Sequence, residues 1–212
     1  MNNIDQKVSP PILKELLKGR RVILASASPR RKELLTGLDI DFTIEINGEV
    51  DENVNFDCLP TEIPELLSKL KSDGFGRELA PDEILITADT LVICNNEILG
   101  KPTDRDNAVE MLRKLSGRSH IVATGVTICS HNKSMSFTAL SDVYFKTLLQ
   151  TEIDYYIDNY KPFDKAGAYG IQEWIGYTAI ERIEGSYFNI VGLPVQRLSE
   201  ALRQFLNTKS SI

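Results

Sequence analysis

Charged side chains stand in three places where packing alone does not ask for them. Residues 26–33 read Ser-Ala-Ser-Pro-Arg-Arg-Lys-Glu, Asp89 interrupts the apolar run ILITADTLVIC, and Lys101 sits between Gly100 and Pro102. In the first place, Ser28 suits a helix N-cap and Pro29 a first helical residue. A helix start carries partial positive charge and favours acidic side chains. This one carries Arg30, Arg31 and Lys32, with Arg31 where a capping box would put Glu. A bound anion reverses that preference, because backbone N–H groups, the dipole and two guanidinium forks would then address one phosphate. The other reading is a solvated basic face. Glu33 lies three residues after Arg30 and can share its helix face. It is either a surface ion-pair partner or a carboxylate placed to hold a divalent cation.

Asp89 raises the sharper question. An isolated buried carboxylate is costly, and it escapes through a partner, a metal or a raised pKa. A bulge at a strand end or a salt bridge to an arginine would satisfy it structurally. A strand-end carboxylate facing a cleft would satisfy it catalytically. Gly100 and Pro102 set a rigid turn that either leaves Lys101 exposed or presents it at the next helix start. Lys71 and Lys165 are lone lysines, ordinarily solvated. The chain has neither a P-loop nor a G-x-S-x-G elbow.

These residues need elements to position them. VILAS (22–26) reads as a buried strand feeding the Ser28 helix, whose Leu34, Leu35 and Leu38 face inward. Phe42 to Ile46 reads as a second strand. An acidic patch (Glu49, Asp51, Glu52) opens a loop-rich stretch, followed by a helix carrying Leu66, Leu67 and Leu70. Residues 83–94 are β-rich, with a tight turn at Asn95-Asn96. A clear helix follows, with Thr103 and Asp106 resembling a capping box and Gly117 as its stop. Two long strands joined at HNK, a helix from about Thr151 to before Pro162, the loop DKAGAYGIQ (164–172), the strand-like YTAIERIEGSY and a closing amphipathic helix complete the chain. Helices alternating with single strands and hairpins predict an α/β fold with a mixed sheet and flanking helices. Residues 10–18 can form a short amphipathic helix ahead of the main fold.

The bulk numbers exclude several classes. A chain of 212 residues with 42% apolar and 25% charged side chains is an ordinary globular domain. A net charge of -6 argues against broad nucleic-acid or membrane-surface binding, so any anion site is local. The N-terminus does not read as a signal peptide, and no stretch has the roughly 20 apolar residues a membrane span needs. Three distant cysteines predict reduced thiols in a cytoplasm, and two histidines argue against a His-rich metal site.

Together, Ser26-Ala-Ser-Pro-Arg-Arg31 with Glu33, Ala88-Asp-Thr90, Gly100-Lys-Pro102, Ser116-Gly-Arg118 with His120, Asp164 through Gln172, and Gly185-Ser-Tyr to Val191-Gly-Leu-Pro194 resemble the Maf family. The resemblance runs in order from about residue 21 to 207. It implies a single domain over 21–212, with residues 1–20 as an N-terminal extension. It implies two lobes around a cleft, as in the inosine-triphosphate pyrophosphatases. It also implies hydrolysis of a nucleoside triphosphate to the monophosphate and pyrophosphate, with Mg2+ or Mn2+ as cofactor.

By that resemblance Asp89 is the proton acceptor and, with Glu33, a metal ligand. Ser28, Arg30, Arg31, Lys71, Thr90, Lys101, Lys165 and Gln172 meet the substrate. Arg30, Thr90 and GAYGIQ match the dTTP/UTP branch rather than the 7-methyl-GTP branch. A Gln amide can both donate and accept, which suits the N3–H and carbonyls of uracil or thymine. A homodimer is implied too. LLSKLKS departs from the family pattern, with serines where alanines are usual. The competing class is a nucleotide-binding regulator of cell division with little catalysis. Within the enzyme class, the rival substrates are inosine and xanthosine triphosphates.

Overall fold

A computed structural model describes residues 11–48 and 57–207, so Glu49, Asp51 and Glu52 lie outside the described residues. Its strands are β1 (Arg21–Leu24), β2 (Phe42–Ile44), β3 (Glu83–Cys94), β4 (Glu97–Leu99), β5 (Ser119–Ser130), β6 (Lys133–Phe145) and β7 (Ile180–Glu184). They form one mixed sheet in the order β2-β1-β3-β5-β6-β7, with β4 paired to β3. β1 runs parallel to β2 and β3, and β3, β5, β6 and β7 are antiparallel neighbours. The β3–β4 hairpin turns on Asn95 and Asn96, both at positive φ (52° and 63°), as a two-residue primed turn requires.

The helices are α1 (Leu13–Leu16), α2 (Pro29–Thr36), α3 (Ile63–Asp73), α4 (Arg105–Leu115), α5 (Gln150–Tyr160), α6 (Trp174–Ala179), α7 (Tyr187–Val191) and α8 (Val195–Asn207). No described helix is long and apolar enough to cross a membrane. Side chains alternate across a strand, and along one face of β3 they enter two cores in succession. Ile84, Ile86 and Ala88 pack with α1, α2 and α8, where Val195, Leu198, Ala201, Leu202 and Phe205 form one buried stripe. Val92 and Cys94 pack with α4, α5, α6 and α7. Leu112 and Leu115 of α4 are completely buried there, each contributing about 1.5–3 kcal/mol of transfer free energy. Leu34 of α2 touches both cores. The long central strands therefore carry two lobes, and on this face Thr90, next to Asp89, lies where one core gives way to the other. The opposite face of β3 carries α3.

Two local readings change. Asp104, rather than Thr103, caps α4, accepting from the Asn107 N–H at 2.8 Å. Thr103 instead donates to Asp104. The 177–187 stretch is half helix, since α6 runs to Ala179 before β7 begins, and α7 occupies 187–191. Strand-like residues here follow the packing available to them rather than propensity. The short helix expected ahead of the main fold is present as α1 and packs onto it: Leu13 and Leu17 join the α8 core, and Arg203 donates to the Pro11 carbonyl at 2.7 Å.

The entry to β3 is locked by charge. Glu83 is 3% exposed, and Arg77 grips both its oxygens at 2.7 and 3.0 Å while also reaching Glu45 of the β2 segment. Arg21 of β1 adds a 2.7 Å contact. Hydrogen bonds from Arg77 hold the Glu83 carboxyl at about 2, against its usual 4.5. A depressed folded value stabilises above the unfolded value, and that stability fades as pH falls from about 4.5 towards 2. Urea melts across pH 2–7 should show Glu83→Gln less stable than the parent at pH 6 and the difference shrinking towards pH 2. A difference independent of pH would contradict this assignment.

Candidate active site

The site begins with a close approach. On β5, Gly125 faces Asp89 across the ladder, and a Cβ there would meet the Pro64 and Glu65 backbone at 2.1–2.2 Å. Its bare backbone lets the first turn of α3 lie directly on the sheet. The serines of LLSKLKS then gain a purpose. Ser68 is completely buried; its hydroxyl donates to the Glu65 carbonyl at 2.8 Å and sits 2.7 Å from Thr127. With that proton spoken for, Thr127 donates to Ser68, and Ser136 to Thr127 at 2.9 Å. Thr87 donates to the Ser68 carbonyl at 2.6 Å. These bonds fix the rotation of α3 and bring Lys71 Nζ to 2.5 Å from Asp89 Oδ1. Asp89, 8% exposed, thus finds its counter-charge in a lysine rather than an arginine.

One residue along, Thr90 points to the other face of β3 and meets α2. Ser28 caps α2 by accepting the Arg31 N–H. Arg31 reaches back across the joint: its Nε donates to the Gly192 carbonyl at 2.9 Å, and its terminal nitrogens donate to Ser26 and to Thr90 at 3.1 Å. Thr124 gives its proton to the Asn189 carbonyl, so Thr90 donates to Thr124 at 3.0 Å. Asn189, fully buried, bonds the Val122 carbonyl and Ser141 through its amide. A chain of donors therefore runs from Arg31 through two hydroxyls to α7.

Arg30 points the other way and pairs with Asp164 at 2.9 Å. Burial raises the Asp164 carboxyl, but hydrogen bonds from Lys165 and Arg30 outweigh it and hold the group at about 2. Lys165, which as a lone lysine would ordinarily be solvated, is sequestered, touching Asp164 at 2.7 Å and Glu173 at 3.0 Å. The Gly167 N–H donates to the Gly100 carbonyl at 3.0 Å, tying this loop to the Lys101 turn. Lys101 and Gln172 are exposed, with no protein hydrogen bond among the described residues. Beneath the loop, His120 is buried with Nε2 2.8 Å from the Tyr169 hydroxyl, and burial lowers its pKa to about 4.

The folded chain thus joins Asp89 to Lys71, Thr90 to Arg31, and Arg30 to Lys165 through Asp164. It does not bring Glu33 to Asp89 by any contact among the described residues. Glu33 is exposed on α2, and its charge acts on Tyr187, whose hydroxyl burial already pushes up. No cluster of three His, Cys, Asp or Glu occurs among the described residues. Mg2+ is commonly held by one or two carboxylates together with substrate phosphates. A carboxylate offers about four acceptor sites, so Asp89 retains capacity beside Lys71 and fits such a shared ion. Sequence reasoning overlooked Glu173 and Tyr156. A glutamate directly after GAYGIQ was the available signal; the tyrosine, inside an amphipathic helix, gave none.

The family model described as Maf-like protein matches residues 21–205. A dTTP/UTP pyrophosphatase of Bacteroides thetaiotaomicron is 51% identical over 184 residues, covering 87% of this chain and 95% of the relative. Proteins of the same name from Parabacteroides distasonis and Cytophaga hutchinsonii are each 47% identical, covering 90% and 88% of this chain and 99% and 84% of theirs. Among solved structures, a HAM1 protein from Coxiella burnetii aligns with a TM-score of 0.47 at 14% identity, over 87% of this chain and 99% of its own.

The close approach at Gly125 yields a paired test. Gly125→Ala should force α3 off the sheet and destabilise by about 1–3 kcal/mol or more, as overpacking does. Gly100→Ala, which meets nothing within 4 Å, should melt within about 0.5 kcal/mol of the parent. Equal urea midpoints for the two variants would contradict the packing described.

Proposed function

Because the chain belongs to the Maf family, we propose that it hydrolyses dTTP and UTP to the nucleoside monophosphate and pyrophosphate. The carrying observation is the Asp89–Lys71 pair at the joint of the two lobes, one residue from the Thr90 that Arg31 of α2 grips. A carboxylate in that place, nearly shielded from solvent and beside a cation, can take the proton of an attacking water. Positioned general bases typically contribute 10²–10⁴-fold. Water then attacks the α-phosphorus and pyrophosphate leaves.

The remaining residues bind and orient. The Ser28 start of α2, Arg31, Lys71 and Lys101 address the phosphates, whose developing charge is the main target of catalysis in phosphoryl transfer. Arg30, Thr90, Lys165 and Gln172 address the nucleoside. We assign the divalent cation to Asp89 together with the triphosphate oxygens; when bound it would neutralise phosphate charge and make a nearby water more acidic. Glu33 would join only through a change at α2. Free thiols at Cys58, Cys94 and Cys129 suit a cytoplasmic, reducing setting.

Pyrophosphate release should be assayed with dTTP, UTP, CTP, GTP and ITP in the presence of Mg2+. The expected result is turnover of UTP and dTTP well above the other three, with monophosphate as co-product. Asp89→Asn should lower kcat by about 10²-fold or more with an unchanged circular dichroism spectrum. Near-normal turnover by that variant would overturn the assignment of the base. Tight UTP binding with no product from the parent protein would instead favour a nucleotide-sensing regulator.

A further inference from the structure

Lys165 poses a problem that the proposed chemistry leaves unsolved. Its side chain is only 12% exposed, and an ammonium so withdrawn from water needs partners. It is also the more flexible of the two long cations, a point charge on a four-carbon stem. Something must hold it if it is to aim at a ligand.

The holder is Glu173. One of its oxygens lies 3.0 Å from Lys165 Nζ, and the other accepts the hydroxyl proton of Tyr156. Tyr156 is fully buried on α5 and stacks on Tyr160. The same hydroxyl accepts the Gly170 N–H at 3.0 Å, and the Glu173 N–H returns to the Gly170 carbonyl at 3.0 Å. Gly170 closes the arrangement sterically: a Cβ there would lie 3.0 Å from both Lys165 Cε and Glu173 Cδ. The lysine stem thus runs over a bare backbone position, with its head fixed by a carboxylate anchored in the core.

The charges say what the held lysine can read. An ammonium has three donors. Asp164 and Glu173 take two, and Arg30 shares Asp164. Two cations and two carboxylates leave this cluster neutral, whereas Lys101 has no ion pair among the described residues. One N–H of Lys165 remains, suited to a neutral oxygen acceptor rather than to a phosphate. It would meet a carbonyl of uracil or thymine and would oppose the amino group of cytosine, since lysine offers no acceptor.

We propose that Glu173, anchored by Tyr156, is a positioning residue that holds Lys165 to donate to a base carbonyl, and so sets discrimination between 4-oxo and 4-amino pyrimidine nucleotides. This rests on the nucleotide reading above. Loss of one ordinary hydrogen bond corresponds to about tenfold.

The test measures pyrophosphate release from UTP and CTP by the parent, Glu173→Gln, Glu173→Asp and Tyr156→Phe. UTP and CTP affinities are measured in parallel by calorimetry in EDTA. Glu173→Gln should raise KM and Kd for UTP about tenfold, keep kcat within about twofold and narrow the UTP-over-CTP preference by a similar factor. Tyr156→Phe should shift the same quantities less, and Glu173→Asp should recover part of the preference. Equal losses on UTP and CTP, or a fall confined to kcat, would overturn the proposal in favour of a purely structural role. So would unchanged values for Glu173→Gln. Parent protein that neither binds nor cleaves UTP would instead overturn the nucleotide reading itself.

Discussion

The site depends on one ion pair, Lys71 on α3 against Asp89 on β3. A carboxylate placed among apolar strand residues is tolerable because a cation is brought to within 2.5 Å of it. That cation is delivered by a helix lying unusually close to the sheet. The closeness comes from Gly125, and the rotational setting from the bonds of Ser68 to Thr127 and Thr87. The strand supplies the rest of the geometry. Its alternation turns the carboxylate to the α3 face, away from the two cores that its even-numbered neighbours enter.

The cations at the start of α2 follow a second constraint. They oppose the helix dipole, and the fold answers them internally before any ligand arrives. Arg31 spreads three donors over Gly192, Ser26 and Thr90, while Arg30 meets Asp164. These bonds bridge the lobes, so the basic helix start doubles as a clasp between them. Charge is unevenly distributed over the neighbouring segments. The cluster of Arg30, Asp164, Lys165 and Glu173 is charge-balanced, whereas Lys101 has no ion pair among the described residues. A nucleotide has the matching asymmetry, with a neutral base at one end and an anionic triphosphate at the other.

Much of this was legible in the sequence, for identifiable reasons. Asp89 stood out because it breaks an apolar run, and the Ser28 cap because its chemistry is local. The mixed sheet followed from hairpins alternating with helices. What the sequence did not show is which partners hold these residues in place. Lys71 and Lys165 look like ordinary surface lysines until Asp89 and Glu173 are folded against them. The Ser68 departure from the family pattern makes sense only beside Thr127, 59 residues away. Tyr156 gave no sign of its role because its buried hydroxyl acts through Glu173, on a different element. The α4 cap was misplaced by one residue, since Thr103 and Asp104 are both competent caps and only the folded turn chooses between them.

The most direct measurement is a double-mutant cycle on the central pair, read as kcat for pyrophosphate release from UTP. It compares the parent, Lys71→Met, Asp89→Asn and the double variant. If the pair works as a unit, each single change removes most of the activity and the double variant is scarcely worse than the poorer single, since residues acting together are strongly non-additive. Independent, multiplying losses, or a Lys71→Met variant close to the parent, would contradict the account.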